Sequence, residues 1–315
     1  MVPPPGLAVE ETAREKSRSL IWTAVAGLRP ADQVQLGYNI IVGLLLLVAL
    51  RHGGGAAWCL VQNVLLVLLI PWIASGSTSA RIWRRELADW YHIPAILLSF
   101  KQLAAAVPLV NPHDRDAALA ALDKVLFGVD PVVWLERFHH PLLTEILQIS
   151  YCVFYVLPVV LFVRLKYRNT ARRDFEYGLF AVTACFCLTF LGYLSVPALG
   201  PRYLLQGDGV PLEGVLLFSM IRQGLDSMEG VMRDCFPSGH TAVTMLMLHF
   251  AWRHDRVTYR VFLLPSIGLI VSTVYLRYHY LVDVVAGVAC YSAVMLVAPR
   301  IFAILERRLL ARGRL

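Results

Sequence analysis

The 315-residue chain is poor in charge: Asp, Glu, Lys and Arg make up 16% of it, against roughly a quarter in soluble domains. Hydrophobic residues instead make up 57% of the sequence. Several apolar runs approach the ~20 residues that a membrane-spanning helix needs. This composition excludes an ordinary soluble domain and predicts an all-α integral membrane protein.

The sequence also lacks the patterns of several function classes. Its six cysteines have neither zinc-ligand spacing nor that of a disulfide framework, and its histidines show no His-Glu-x-x-His pattern. The polar N-terminus has no apolar core of the signal-peptide type. The net charge of +7 comes with no base-stacking module or basic stripe. We therefore expect no metal, no cofactor, no nucleic-acid partner and no obligatory protein partner.

Eight apolar segments predict a polytopic helix bundle with about eight transmembrane segments. The sixth segment is short for a full span, so we expect it to start within protein rather than lipid. The segments are Val34–Leu50, Ala56–Ala74, Tyr91–Val110, Pro141–Leu165, Tyr177–Pro197, Ser238–Trp252, Val261–Tyr278 and Leu281–Pro299.

The basic residues between the segments predict an orientation. With eight spans, five basic clusters fall on one side, which the positive-inside rule makes cytoplasmic. Both termini are then cytoplasmic, and the loop 198–237, with three basic and five acidic residues, is extracytoplasmic. The clusters are Arg14, Lys16, Arg18 and Arg29; Arg81, Arg84 and Arg85; Arg164, Lys166, Arg168, Arg172 and Arg173; Arg253, Arg256 and Arg260; and Arg307, Arg308, Arg312 and Arg314.

His279 and Asp283 lie where the seventh and eighth segments meet, at the extracytoplasmic face. A spacing of four places them one turn apart on one helical face. The carboxylate can then accept the imidazole Nδ1 proton and leave Nε2 free to attack, as in covalent catalysis. A structural pair that caps a helix is the alternative. The expense of ionisable groups in membrane segments favours a functional role.

The string Pro237-Ser238-Gly239-His240-Thr241 opens the sixth segment at the same face. Ser238 can cap the helix, and Gly239 lets a phosphate approach the free backbone N–H groups of its first turn. His240 is then placed to protonate a leaving oxygen. An ordinary capped helix that carries a histidine is the alternative.

A phosphate also needs a positive partner, and Arg202 in the long loop can bind phosphoryl oxygens bidentately. Arg277 and Arg233 are secondary candidates that interfacial snorkelling explains as well. Five further histidines are interpreted as isolated, and His139–His140 as an interfacial pair without carboxylate spacing; the five are His52, His92, His113, His249 and His254.

The PSGH string followed by a distant His-x-x-x-Asp resembles the second and third signatures of the type 2 phosphatidic acid phosphatase superfamily, over roughly Pro141–Pro299. The resemblance implies a metal-independent membrane enzyme with a six-helix phosphatase-type core. It implies phosphate binding and leaving-group protonation by Ser238, Gly239 and His240. It also implies attack by His279, supported by Asp283, to give a phosphohistidine intermediate.

Three positions depart from the signatures. Ser195 stands where the family has lysine, Tyr203 where it has proline, and Thr273 where it has arginine. The stretch STVYLRYHYLVDV is similar to the branch that contains fungal inositol phosphorylceramide synthase. This similarity implies transfer of a phosphoalcohol head group, such as inositol phosphate, between membrane lipids. A phosphodiester carries less charge than a monoester and therefore suits the loss of basic residues.

These observations predict a cytoplasmic N-terminal segment (1–33), N-terminal transmembrane segments (34–110), a catalytic membrane domain (111–300) and a basic cytoplasmic tail (301–315). The enzyme is expected in the plasma or inner membrane with its active site on the extracytoplasmic face. A lipid phosphate monoester phosphatase, of the phosphatidic acid or polyprenyl diphosphate type, is the alternative. A proton-coupled transporter and an inactive scaffold are more distant ones.

Overall fold

The computed structural model describes residues 28–52, 55–168, 170–205 and 210–311, and this part of the chain is helical without any strand. Most of the predicted N-terminal segment, with Arg14, Lys16 and Arg18, lies outside the described residues. The same holds for Arg312 and Arg314. The structure confirms an all-α polytopic protein.

Fourteen α-helices follow one another in the described residues. They are α1 (Pro30–Ala49), α2 (Gly55–Ala74), α3 (Ile82–Trp90), α4 (His92–Val110), α5 (Asp116–Phe127), α6 (Pro131–Leu135), α7 (Pro141–Tyr151), α8 (Val153–Tyr167), α9 (Arg172–Ser195), α10 (Pro201–Leu204), α11 (Phe218–Glu229), α12 (Gly239–His254), α13 (Arg256–Tyr275) and α14 (Leu281–Leu310).

Seven helical stretches of the described chain are long and apolar enough to cross a membrane, one fewer than the eight segments of the sequence. They are Pro30–Ala49, Gly55–Thr78, Ile82–Val110, Pro141–Tyr167, Arg172–Ser195, Arg256–Tyr275 and Leu281–Leu310.

The sixth predicted segment is the one that falls short. It forms α12, whose 16 residues span only ~24 Å at 1.5 Å per residue. Its first turns are enclosed by protein, with Ser238, Thr241 and Val243 fully buried. The expectation that this segment starts within protein is therefore confirmed.

Helix α12 occupies the centre of the bundle, where it packs against α8, α9, α13 and α14. Its apolar residues Val243, Leu246 and Met247 belong to the main core cluster. Helix α14 approaches it closely, since a Cβ on Gly287 would lie 2.5 Å from the Ser238 carbonyl oxygen. The N-terminal helices α1 and α4 pack on the other side of α9.

Several helix boundaries differ from the segments drawn on the sequence, and local features of the chain explain two of them. Helix α1 begins at Pro30, because proline suits the first helical position and Asp32 accepts the Arg29 backbone N–H. Helix α14 continues past Pro299 to Leu310, and Arg307 and Arg308 in its last turn complement the helix dipole. The described part of the predicted tail is thus mainly helical.

Candidate active site

The structure brings His240 and His279 into direct contact. Nδ1 of His240 lies 3.3 Å from Nε2 of His279, although the residues are 39 positions apart. His240 is in the first turn of α12, and His279 lies in the turn between α13 and α14. Their exposed fractions are only 8% and 3%. The two imidazoles thus lie side by side in the protein interior, as acid and nucleophile chemistry requires.

The turn that presents His279 is tightly wound. The backbone N–H groups of Tyr278 and His279 both donate to the Thr273 carbonyl, at 2.9 and 2.8 Å. Arg277 takes a left-handed conformation with φ of 65°, which costs a non-glycine residue about 1 kcal/mol. The chain is therefore held in an unfavourable conformation directly before the histidine.

Asp283 lies behind His279, with its Oδ2 3.5 Å from the imidazole Nδ1. Oδ2 also accepts the Tyr280 backbone N–H at 2.8 Å. Asp283 is fully buried and has no ion pair with a described Lys or Arg. A proton on His279 Nδ1, facing this carboxylate, leaves the Nε2 lone pair directed at His240. The tautomer is assigned from this geometry.

The Cys235 thiol is a further partner of Asp283 that the sequence analysis missed. Its Sγ donates to Asp283 Oδ2 at 2.9 Å. Burial, together with the Asp283 carboxylate, raises the pKa of Cys235 well above its usual value, so the thiol stays protonated. Its place two residues before the PSGH string, next to the predicted site, was the available signal.

Cys235, His279 and Asp283 are also residue types that bind metal ions, and their ligand atoms lie within 4.8 Å of one another. A zinc ion would need the thiolate form of the cysteine. The raised pKa of Cys235 opposes that form, and the Asp283 oxygen already accepts the thiol and the Tyr280 N–H. The trio is thus better suited to orient His279 than to bind a metal.

The start of α12 is capped as the sequence predicts. The Ser238 hydroxyl accepts the Thr241 backbone N–H at 3.2 Å. The Ser238 backbone N–H donates to the Asp283 carbonyl at 2.9 Å and so joins α12 to α14. At Gly239 a Cβ would lie 2.5 Å from the Tyr193 hydroxyl, so glycine allows this close approach.

Aromatic rings hold the His240 imidazole. The rings of Tyr151 and Phe154 lie 4.6 and 4.3 Å from it, measured between centroids. Tyr151 also packs against Tyr278, the neighbour of His279, at 4.7 Å. Nε2 of His240 is buried without a hydrogen-bond partner among the described residues. The acid candidate is thus fixed by packing and keeps one nitrogen free.

Arg202 lies beside the residues that precede His279 in the chain. Its backbone N–H donates to the Arg277 carbonyl at 3.0 Å, and its guanidinium lies 5.2 Å from the Tyr278 ring centroid. Nη1 of Arg202 donates to Asp226 of α11 at 2.7 Å. The predicted phosphate-binding arginine is therefore next to the His279 segment, and its guanidinium is paired with a carboxylate.

The two secondary arginines have carboxylate partners as well. Arg233 donates to Asp114 at 2.6 Å, and Arg277 donates to Glu136 at 2.6 Å. Arg277 is only 8% exposed, so it does not extend towards an interface. Both side chains thus form ion pairs within the protein, and for the buried Arg277 this replaces the snorkelling expected from the sequence.

Comparison with known proteins agrees with this geometry. A PA-phosphatase related-family protein of Dictyostelium discoideum is 25% identical over 225 residues, which cover 60% of this chain and 41% of that protein. The chain thus spans less than half the length of that relative. No solved structure matches the chain. The family model of the PAP2 superfamily matches residues 117–297, which include both histidines and Asp283. Because that match covers more than half of the chain, the protein belongs to the PAP2 superfamily.

Proposed function

We propose that the protein cleaves a lipid phosphate ester through a phosphohistidine intermediate, with His279 as nucleophile and His240 as acid. The observation that carries the proposal is the 3.3 Å approach of the two imidazoles, with Asp283 behind the second one. A nucleophile, an orienting carboxylate and a second proton-transfer group are the parts that covalent catalysis needs.

In the first step Nε2 of His279 bonds to phosphorus while the ester bond to the leaving oxygen breaks, and His240 protonates that oxygen. Asp283 stabilises the positive charge that develops on His279. The attacking and leaving atoms lie roughly in line with phosphorus. Since the two nitrogens are now within contact distance, the rings must separate when the ester binds. In the second step His240 takes the proton of the acceptor hydroxyl, whose oxygen bonds to phosphorus while the bond between phosphorus and Nε2 of His279 breaks.

Arg202, Ser238 and Gly239 are proposed to bind the phosphoryl group. Arg202 is the charged member, and it would exchange Asp226 for phosphoryl oxygens when substrate enters. Bidentate binding by a guanidinium suits this exchange. The capped start of α12, at Ser238 and Gly239, supplies the polar surroundings of an anion.

Transfer of a phosphoalcohol head group between lipids is the proposed reaction, with inositol phosphate as the type of group. The support is the neutralised charge around the site. Arg202, Arg233 and Arg277 each have a carboxylate partner, and Ser195 and Thr273 stand where the family signatures have basic residues. Such a site favours the single charge of a phosphodiester over the double charge of a monoester.

A lipid phosphate phosphatase is the second candidate. The name of the Dictyostelium relative, a PA-phosphatase related-family protein, favours it. Water would then take the place of the acceptor hydroxyl in the second step, and the same residues would act.

We also propose that the site faces the extracytoplasmic side of a plasma or inner membrane and that both termini are cytoplasmic. The site lies at one end of α9, near Gly192 and Pro237, while Arg172 and the Arg164–Asp255 pair lie at the other end. The positive-inside rule makes the basic end cytoplasmic.

The matched residues 117–297 support a catalytic domain over 111–300.

The test is a purified wild-type protein beside His279→Ala, with chelator present throughout. Each receives lipid phosphate monoesters and phosphodiesters, with and without inositol, ceramide or diacylglycerol as acceptor. A new phospholipid formed only with an acceptor supports the transferase, whereas phosphate released from a monoester supports the phosphatase. Full activity of His279→Ala would contradict the mechanism for both.

Asp226→Asn tests the charge argument. Loss of this carboxylate frees Arg202, so we expect activity on monoesters to rise up to about fivefold relative to phosphodiesters, the worth of one partly exposed ion pair. Asp130→Asn, which frees Lys124, a cation that the charge argument does not use, is the matched control. An equal ratio in Asp226→Asn and wild type would remove the support for a phosphodiester substrate.

A further inference from the structure

Helix α5 carries two buried carboxylates that the mechanism has not used. Asp116 is 6% exposed and Asp123 is 1% exposed. They are seven residues apart, two turns of the helix, and so lie on one face. Neither forms an ion pair with a described Lys or Arg, which sets them apart from Asp114 and Asp130 of the same region. Their partners are backbone groups of the two chain segments that hold the candidate active site.

Asp123 caps the helix that follows the nucleophile. Its two oxygens accept the backbone N–H groups of Leu281 and Val282, at 2.8 and 2.7 Å. These are first-turn donors of α14, which have no partner inside the helix. Since Asp283 takes the Tyr280 N–H, three successive donors are satisfied by carboxylates. The start of α14 is therefore anchored to α5, and its N–H groups are not open to phosphate.

Asp116 anchors the turn that carries Arg202. It accepts the backbone N–H groups of Leu199 and Gly200, at 2.9 and 2.8 Å, and the Tyr280 hydroxyl at 3.0 Å. Gly200 has φ of 96°, and a Cβ there would lie 2.6 Å from the Tyr278 carbonyl oxygen. The turn is thus pressed against the residue next to His279, and Asp116 binds both segments.

We propose that Asp116 and Asp123 are positioning residues of the active site: Asp123 holds the His279–Asp283 segment, and Asp116 holds the Gly200–Arg202 turn. The proposal rests on the proposed function of His279 and Arg202. It assigns a different kinetic effect to each carboxylate. Displacement of the nucleophile lowers kcat, whereas displacement of the phosphate-binding turn raises KM.

Asp123→Ala tests the first assignment. We expect kcat to fall on the order of 10- to 100-fold, the effect of a small misplacement of a reacting group, with little change in KM. Asp123→Asn keeps one acceptor oxygen and should lie between Asp123→Ala and wild type. This conservative variant also serves if Asp123→Ala fails to fold.

Asp130→Ala is the matched control. Asp130 also caps a helix, since it accepts the Val132 and Val133 backbone N–H groups at 3.1 and 3.4 Å, but that helix (α6) holds no candidate site residue. We expect a similar decrease in Tm for Asp130→Ala and Asp123→Ala, with kcat reduced only in the second.

Asp116→Ala tests the second assignment. We expect KM for the lipid phosphate ester to rise about tenfold, the worth of a hydrogen bond to a charged group, while kcat changes less. Asp116→Asn keeps the oxygen that binds Gly200 and Tyr280 but loses the acceptor for the Leu199 N–H, so it should lie between Asp116→Ala and wild type. A smaller rise in KM in Tyr280→Phe, which loses the hydroxyl that Asp116 accepts, would support the link through Asp116 between the two segments.

Equal loss of kcat in Asp123→Ala and Asp130→Ala would overturn the proposal, because the effect would then be one of stability. An unchanged kcat in Asp123→Ala and Asp123→Asn would overturn it as well, and so would an unchanged KM in Asp116→Ala. His279→Ala distinguishes failure of the proposed function from failure of the positioning role. If it keeps activity, the proposed function fails; if it is inactive while the carboxylate variants behave like Asp130→Ala, only the positioning role fails.

Discussion

The protein contains two buried histidine–aspartate pairs near opposite ends of α9, and they differ in what surrounds the carboxylate. In one, Asp32 Oδ1 lies 3.0 Å from His92 Nε2, and Arg29 forms an ion pair with the same carboxylate at 3.1 Å. In the other, Asp283 lies 3.5 Å from His279, and its partners are a thiol and a backbone N–H.

The difference shows why a buried His–Asp pair by itself does not indicate catalysis. The Asp32 charge is neutralised by Arg29, which also binds Asp89 at 2.6 Å, and Tyr91 donates to Asp32 at 2.7 Å. Such a network ties helices α1, α3 and α4 together. Asp283 has no cation among the described residues, so His279 is the group that its charge polarises. The imidazole of His240 lies on the other side of His279, whereas no second imidazole is described for His92.

His92 corrects one interpretation of the sequence. The spacing of residues in the sequence indicates an isolated histidine, because its partner Asp32 is 60 residues away. It is 1% exposed and lies inside a charged network. Sequence spacing finds partners four residues apart, such as His279 and Asp283, although His279 lies in the turn before α14 and not on the helical face that the sequence predicts. It misses partners that only helix packing brings together.

The largest expected effect separates the two histidines. His279→Ala should lower kcat by about 1,000-fold or more, since it removes the proposed nucleophile. His92→Ala should keep most of the activity while lowering Tm, because it disrupts a packed polar network. Turnover and thermal unfolding of both variants measure this. A similar fall in kcat for both would end the distinction between a catalytic and a structural pair.

The carboxylates provide the second comparison. Asp283→Asn should lower kcat by roughly 100-fold, because the neutral amide stabilises the charged imidazole of His279 much less. Asp32→Asn should leave kcat nearly unchanged but lower the free energy of unfolding by about 3 kcal/mol, since Arg29 loses part of its compensation. The expected pattern fails if the asparagine at position 32 costs more activity than the one at 283.

A smaller effect is expected at Cys235. Cys235→Ala removes one donor to Asp283. Because a hydrogen bond is worth about 1 kcal/mol, kcat should fall by about fivefold. Thiol-specific reagents should react slowly, because Cys235 is 2% exposed and its raised pKa keeps it protonated. Rapid labelling of Cys235 with loss of activity would contradict this assignment.

The smallest effect is expected from metal removal. If Cys235, His279 and Asp283 orient a nucleophile rather than bind a metal, a chelator should not change kcat. Assay after dialysis against chelator, with metal content measured in parallel, tests this. Loss of activity that a stoichiometric metal restores would make the trio a metal site instead.

Several site features could be predicted because they are local in sequence. Ser238 caps α12 within three residues of its partner, and Asp283 follows His279 by one turn. The meeting of His240 with His279 was predicted from the shared membrane face of two segments. The carboxylates Asp116 and Asp123 could not be assigned in this way, because they contact backbone groups 83 to 159 positions away and, for Asp116, the Tyr280 hydroxyl.

The amino-acid sequence alone thus determined the membrane class, the helical segments and the residues at the centre of the site, because hydrophobic run length, capping and one-turn spacing are local properties. Tertiary structure decided which distant groups meet. It pairs Arg202 with Asp226 and His92 with Asp32, and it brings the carboxylates of α5 to the turns around His279. Those choices depend on how helices pack, and packing follows from the shape and burial of surfaces that are distant in sequence.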